Sequence, residues 1–116
     1  MPGKKIDKAD AAKILSDVNP ENAFQFYIDE GQFTGQSANN LSQLCELIKS
    51  VDVKSVEFHL HRGDFEKWVR FIGDNILSMQ LAKNRNTLLE GEQLREKIVE
   101  IISRRIEKLK SLELSP

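Results

Sequence analysis

Two short stretches near the start of the chain alternate apolar and polar residues, the two-residue period of a β-strand with one buried face. They are residues 23–29 (AFQFYID) and residues 32–38 (QFTGQSA), separated by turn-forming residues. This spacing predicts an antiparallel β-hairpin. Gly35, inside the second stretch, predicts a bulge or a close backbone approach, because an isolated glycine weakens a regular strand.

A third stretch, residues 55–61 (SVEFHLH), alternates in the same way and predicts another strand. Its polar face would carry His59 and His61 side by side. Gly63 then predicts a sharp turn, and Asp64 predicts the N-cap of a following helix. The predicted fold class is therefore α+β, with an antiparallel sheet of three or four strands backed by helices.

The remaining segments repeat apolar residues every three to four positions, which is typical of amphipathic helices. The predicted helices are residues 7–18, a segment from Asn40, a segment from Asp64, a segment from Asp74 after a break at Gly73, and residues 91–113. Pro20 is expected to end the first helix, and Gln43 is placed for a capping box at the second. We expect one domain over residues 1–116, with residues 1–5 disordered.

The helix predicted at residues 91–113 is long and carries a wide apolar stripe. Its members are Leu94, Ile98, Ile101, Ile102, Ile106, Leu109 and Leu112. At 1.5 Å per residue the helix would span roughly 30 Å, about the diameter of a small domain. Two outcomes stay open. The helix lies across the sheet and frays at its end, or its C-terminal half packs against a second copy in a dimer or tetramer, although Arg105 interrupts that seam.

The composition, 40% hydrophobic and 30% charged residues, is that of a globular protein. No apolar run approaches the roughly 20 residues of a membrane span, and no signal-peptide core is present, so no membrane partner is expected. The single cysteine, Cys45, excludes an internal disulfide and fits a reducing cytoplasm. We expect it to be an inert, buried thiol.

The balance of charges does not favour a protein that binds nucleic acid mainly through phosphates. Seventeen Lys or Arg face eighteen Asp or Glu, a net charge of −1, whereas such proteins usually carry a basic excess. The charges are unevenly spread, however. From Lys83 onward eight Lys or Arg face six Glu, which permits a local basic patch without demonstrating one.

Two histidines on one strand face could hold a metal ion, with Glu57 as a third ligand. The chain has no histidine besides His59 and His61, however, and catalytic zinc normally uses three protein ligands. Partly exposed sheet histidines are the favoured interpretation. Neither a nucleophile–base pair nor a phosphate-binding glycine loop stands out. We therefore expect no enzymatic activity, no cofactor and no metal.

The aromatic residues divide into two groups. Those expected to fill the core are Phe24, Phe26, Phe58, Phe65 and Trp68. Others would lie on the opposite sheet face, where rings stack on bases and arginines hold phosphates in proteins that bind single strands. The candidate stacking residues are Tyr27, Phe33, His59 and His61, and the candidate phosphate contacts are Arg62, Lys67 and Arg70. The alternative is an ordinary polar sheet face.

Three segments resemble a small domain family of archaea and some bacteria: FQFYIDEGQFTGQSANNLSQL, SVEFHLHRGDFEKWVRFIGD and LLEGEQLREKI. The resemblance covers about residues 22–105, and the FHLH strand with RGDFEKW is its distinctive part. The best-described members are single-stranded DNA-binding proteins of thermophilic archaea, ThermoDBP and the ThermoDBP-related proteins. The resemblance implies an antiparallel sheet backed by helices, a cleft for single-stranded DNA or RNA, and oligomers built partly through a C-terminal helix.

Together these observations predict a sequence-tolerant binder of single-stranded nucleic acid. The main alternative is an oligomeric protein-interaction or regulatory module, which would need neither a basic groove nor stacking rings. An enzyme with a metal at His59 and His61 comes third.

Overall fold

The computed structural model describes residues 6–114, which form six helices and one β-hairpin. The elements are α1 (Lys8–Leu15), a single 3₁₀ turn (Pro20–Asn22), β1 (Phe24–Tyr27), β2 (Phe33–Ala38), α2 (Leu41–Ser50), α3 (Val53–Arg62), α4 (Asp64–Phe71), α5 (Asn75–Ala82) and α6 (Gly91–Glu113). The fold is therefore mixed helix and sheet, with the long C-terminal helix that the sequence predicts. The disorder expected for residues 1–5 lies outside the described residues. Within those residues no helix is both long and apolar enough to cross a membrane.

The predicted hairpin is confirmed, and so is its bulge. The paired residues are Phe24 with Ala38, Gln25 with Ser37, and Tyr27 with Phe33. From Gln25 to Tyr27 the first strand advances two residues, while the second goes back four, from Ser37 to Phe33. The extra residues bulge out of β2 around Gly35, which adopts φ +85°, a conformation that side chains disfavour.

The predicted third strand at residues 55–61 is wrong, because this segment lies within α3. The residues it buries include Val56, His59 and Leu60, which follow the i, i+3, i+4 spacing of a helix face. Among residues 6–114 the sheet therefore has two strands, not three or four.

One glycine both ends α3 and starts α4. Gly63 has φ +77°, and its N–H bonds the carbonyl oxygens near the end of α3. Asp64 is thus the first residue of α4 rather than its N-cap, and its carboxylate binds His59 instead. Asp74 does cap α5, as predicted, by accepting the Leu77 N–H at 3.0 Å.

The C-terminal helix α6 packs against helices α1, α2, α3 and α5. It therefore lies across helices, whereas one of the two predicted outcomes placed it across the sheet. Five residues of its stripe are buried in the core: Leu94, Ile98, Ile102, Ile106 and Leu109. Ile101 and Leu112 are half-buried. One copy of the chain thus covers most of the stripe, and this burial lends no support to assembly through α6.

Four of the five aromatic residues expected in the core are buried there: Phe24, Phe26, Phe65 and Trp68. The Trp68 indole N–H donates to the Asn22 carbonyl at 2.8 Å, which satisfies its one polar atom. Phe58 is the exception, because it is only half-buried. Its ring lies beneath the Arg62 guanidinium, whose carbon is 4.7 Å from the ring centroid.

Candidate functional site

The structure removes His59 from the predicted stacking surface, because its side chain is buried and both ring nitrogens are occupied. Nε2 accepts the backbone N–H of Tyr27 at 2.8 Å. Nδ1, which by elimination carries the proton, donates to the Asp64 carboxylate at 2.8 Å. Burial lowers the pKa of His59, and Asp64 offsets this only in part. The neutral ring therefore links β1, α3 and α4. It is not available to stack on a base, so the stacking role predicted for His59 is wrong.

His61 is exposed, but it does not share a face with His59. Two residues along a helix turn the side chain by about 200°, so the two imidazoles leave α3 in nearly opposite directions. His61 Nδ1 lies 2.8 Å from the Arg85 carbonyl oxygen, to which it donates. The two-histidine metal site is thus excluded by geometry. Residues 6–114 contain no group of three His, Cys, Asp or Glu side chains that could hold a metal ion.

Two of the predicted stacking residues do lie together, at the far end of the hairpin. The Tyr27 and Phe33 ring centroids are 5.3 Å apart with the rings tilted by 43°. Phe33 is 49% exposed, whereas Tyr27 is half-buried. Tyr27 also lines an open depression of ≈370 Å³ that includes Phe58 and Arg62.

The charges of this acidic depression do not suit phosphates. Of the described residues, three carboxylates line it, those of Asp29, Glu30 and Asp64, against one cation, that of Arg62. The Arg62 guanidinium is already partly neutralised, since its Nε lies 3.4 Å from an Asp64 carboxylate oxygen. Carboxylates repel a phosphate and so weaken its binding. This surface therefore favours a cationic ligand over a nucleic-acid backbone.

The other predicted phosphate contacts lie elsewhere. Lys67 and Arg70 are exposed, three residues apart on the outer face of α4. Neither lines the acidic depression. The seven predicted residues therefore do not form one site.

A basic groove that the sequence did not locate lies between the end of α5 and the middle of α6, with a volume of ≈540 Å³. Its cations are Lys83, Lys97, Arg104, Arg105 and Lys108. Two amides, Gln80 and Asn84, and the apolar Ile101 also line it, and no carboxylate does so among residues 6–114. This basic groove therefore suits an anionic ligand.

Two of the five cations are neutralised by partners. Arg105 is held by the buried Asp74 carboxylate, and exposed Arg104 pairs with Glu100 at 3.1 Å. An exposed ion pair of this kind contributes little to stability, so Arg104 can exchange Glu100 for an anionic ligand. Within residues 6–114 the three lysines of the groove form no ion pair at all. Their positive charge is thus available to a ligand.

Comparison with known proteins assigns neither surface. The candidate functions therefore rest only on the chemistry of the acidic depression and the basic groove. Searches against protein-family models, curated proteins and solved structures find no match for this chain.

Proposed function

We propose that this protein binds single-stranded DNA or RNA with little sequence preference, and that the strand's phosphates lie in the basic groove. The observation that carries the proposal is a carboxylate-free groove whose three lysines form no ion pair with any described residue. Neutralising phosphates releases counterions and supplies most of the affinity in sequence-independent binding. The net charge of −1 does not oppose this, because charges beyond about 8–10 Å are largely screened at physiological salt.

The spacing of the cations along α6 suits an extended anionic chain. Lys97, Arg104 and Lys108 are separated by seven and then four residues, about 10 and 6 Å along the helix axis. Lys83 faces them from the end of α5. A strand running along α6 would thus meet a cation at successive steps, without any contact that selects a base.

Titration of the protein with a labelled oligo-dT at several salt concentrations tests the proposal. With three to four phosphates neutralised, affinity should fall about 20- to 50-fold between 50 and 200 mM salt. Absence of binding at low salt would contradict the proposal. Binding that ignores salt would also contradict it, since the phosphates would then contribute nothing.

Variants locate the strand. Replacing both Lys97 and Lys108 with glutamine should weaken binding and reduce the salt slope by roughly 1.4, or about 0.7 for each phosphate that is no longer neutralised. The matched control replaces Lys67 and Arg70 with glutamine, which removes two exposed cations from α4. If the control weakens binding and the groove variant does not, the strand lies on α4 instead.

The acidic depression favours a second candidate function, that of a protein-interaction module. Three carboxylates beside the Tyr27 and Phe58 rings match a lysine or arginine side chain, which binds both anions and aromatic faces. A basic peptide should then bind, and Glu30→Gln should weaken it, while an acidic peptide of equal length should not bind. Equal binding of both peptides would reject this candidate.

Two finer expectations remain proposals. We place the protein in the cytoplasm, where its buried Cys45 would stay reduced; burial raises the pKa of this thiol and so slows its oxidation. We also retain assembly into a dimer or tetramer as a proposal, which light scattering of the full chain measures.

A further inference from the structure

Helix α5 presents a basic and an apolar surface side by side. Its outward face carries Ile76, Met79 and Gln80, with Lys83 directly after its last residue, and the two apolar side chains are 42% and 62% exposed. Met79 and Lys83 are four residues apart, as are Ile76 and Gln80, so each pair are neighbours on the helix surface. Because Gln80 and Lys83 line the basic groove, the apolar side chains border it directly.

The apolar side continues into a second depression, of ≈430 Å³, between α1 and α5. Five apolar side chains line this apolar depression: Ile6, Ile14, Ile72, Ile76 and Met79. Its charged lining residues among those described, Asp10 and Lys13, are of opposite sign. Of the six large apolar side chains that are exposed in the described chain, three (Phe71, Ile76 and Met79) fall within residues 71–79. Ile76 and Met79 of these three lie next to the basic groove, whereas Phe71 lines a different depression.

We propose that the outer face of α5 is the part of the interface that contacts bases: a single strand with its phosphates in the basic groove turns its bases over Met79 and Ile76 toward the apolar depression. This inference rests on the proposed function. Methionine sulfur makes favourable contacts with aromatic rings and adapts to different shapes. Such contacts do not distinguish one base from another, which agrees with sequence tolerance.

The same face implies selection of single strands over duplexes. A duplex keeps its base faces stacked inside, so it can use the basic groove but not the apolar side of α5. An anionic lipid surface also combines negative charge with hydrocarbon, but it binds apolar side chains that project from the protein. Ile76 and Met79 instead line a concave depression, which suits inserted bases better than a membrane.

The test compares two labelled strands of equal length, oligo-dT and an abasic strand with the same phosphates, by fluorescence anisotropy. The full chain should bind oligo-dT about two- to tenfold more tightly than the abasic strand. Met79→Ala should reduce this difference, because Ile76 remains, and should leave affinity for the abasic strand unchanged. Leu88→Ala, which shortens a fully exposed leucine elsewhere, is the matched control and should change neither affinity.

The outcomes separate this inference from the proposed function. Equal, salt-dependent binding of both strands would overturn base contact by α5 while the basic groove still binds phosphates. Failure of both strands to bind at low salt would overturn both proposals. A third outcome is that anionic vesicles bind, that Met79→Ala abolishes this binding, and that the same variant leaves oligo-dT affinity unchanged. In that case the face contacts lipid, and base contact is overturned.

Discussion

The Arg105 guanidinium donates two hydrogen bonds to the buried Asp74 carboxylate, from Nε at 2.7 Å and from Nη2 at 3.0 Å. The same carboxylate accepts the Leu77 N–H and so caps α5. One side chain thus ties the start of α5 to α6, 31 residues further along the chain. This pair explains the arginine within the apolar stripe of α6, and it fixes the two helices that form the basic groove.

Breaking this pair should destabilise the fold. Arg105→Met leaves the Asp74 carboxylate buried without a counter-charge, and Asp74→Asn does the same to the guanidinium. We expect each variant to lose about 3–5 kcal/mol of unfolding free energy in urea denaturation. The double variant removes both charges and should lose less than the sum of the single losses. Additive losses would show that the two groups are not coupled.

The buried His59 should make stability depend on pH. Because burial lowers its pKa in the folded state, the unfolded chain takes up a proton first as pH falls. The stability that neutral His59 contributes is therefore complete above about pH 6.5 and is lost as pH falls below that value toward the folded pKa. The difference in unfolding free energy between the wild type and His59→Gln should shrink over this range.

His61→Gln provides the matched control, because it removes the exposed histidine of the same helix. Urea denaturation at several pH values measures all three proteins. A constant difference between the wild type and His59→Gln would contradict the assignment of a neutral, buried ring.

His59 also explains why the sequence predicts a strand where α3 lies. Val56 and Leu60 fit both the two-residue period of a strand and the 3.6-residue period of a helix, since they are four residues apart. The choice between the two periods depends on His59, which the strand period places on the polar face. It is buried because both ring nitrogens have partners, a tertiary arrangement that a local pattern does not contain. The hairpin and α6 could be predicted because their turn residues and apolar stripe are local signals.

The basic groove could not be located from the sequence for a related reason. The excess of Lys and Arg from Lys83 onward is visible in the sequence, but a count does not place charges in space. Lys83 meets Lys97 and Lys108 only because α5 packs against α6. The prediction for Arg62 failed to include the neighbouring Asp64. Because Gly63 takes the N-cap position of α4, the Asp64 carboxylate does not cap the helix and instead lies beside the Arg62 guanidinium.

Gly63 should be sensitive to substitution for two separable reasons. A Cβ there would lie 2.8 Å from a Glu66 carboxylate oxygen and 3.0 Å from Arg85 Nη1, in addition to the strain of φ +77°. Gly31 has a similar φ of +73° but nothing within 4 Å of such a Cβ. Gly31→Ala should therefore lose about 1–2 kcal/mol from backbone strain alone, and Gly63→Ala more. Equal shifts in thermal unfolding would show that the Glu66–Arg85 contact yields freely.

The end of α6 should contribute to the core of a single copy. Leu109 is fully buried, so Leu109→Ala should lose about 2–5 kcal/mol of unfolding free energy. Leu114 is 82% exposed, and Leu114→Ala should change stability by less than about 0.5 kcal/mol. Equal effects in urea denaturation would contradict this placement. A chain shortened after Arg104 should unfold, so assembly is better tested with point variants.

The packing of α6 also affects how the chain folds during synthesis. The helices that α6 covers are all synthesised before α6 itself. At 5–20 residues per second, translation of its 23 residues takes roughly 1–5 s. At least until α6 is complete the apolar faces of α1, α2, α3 and α5 lack their common partner, so the parts of them that have emerged should depend on chaperones.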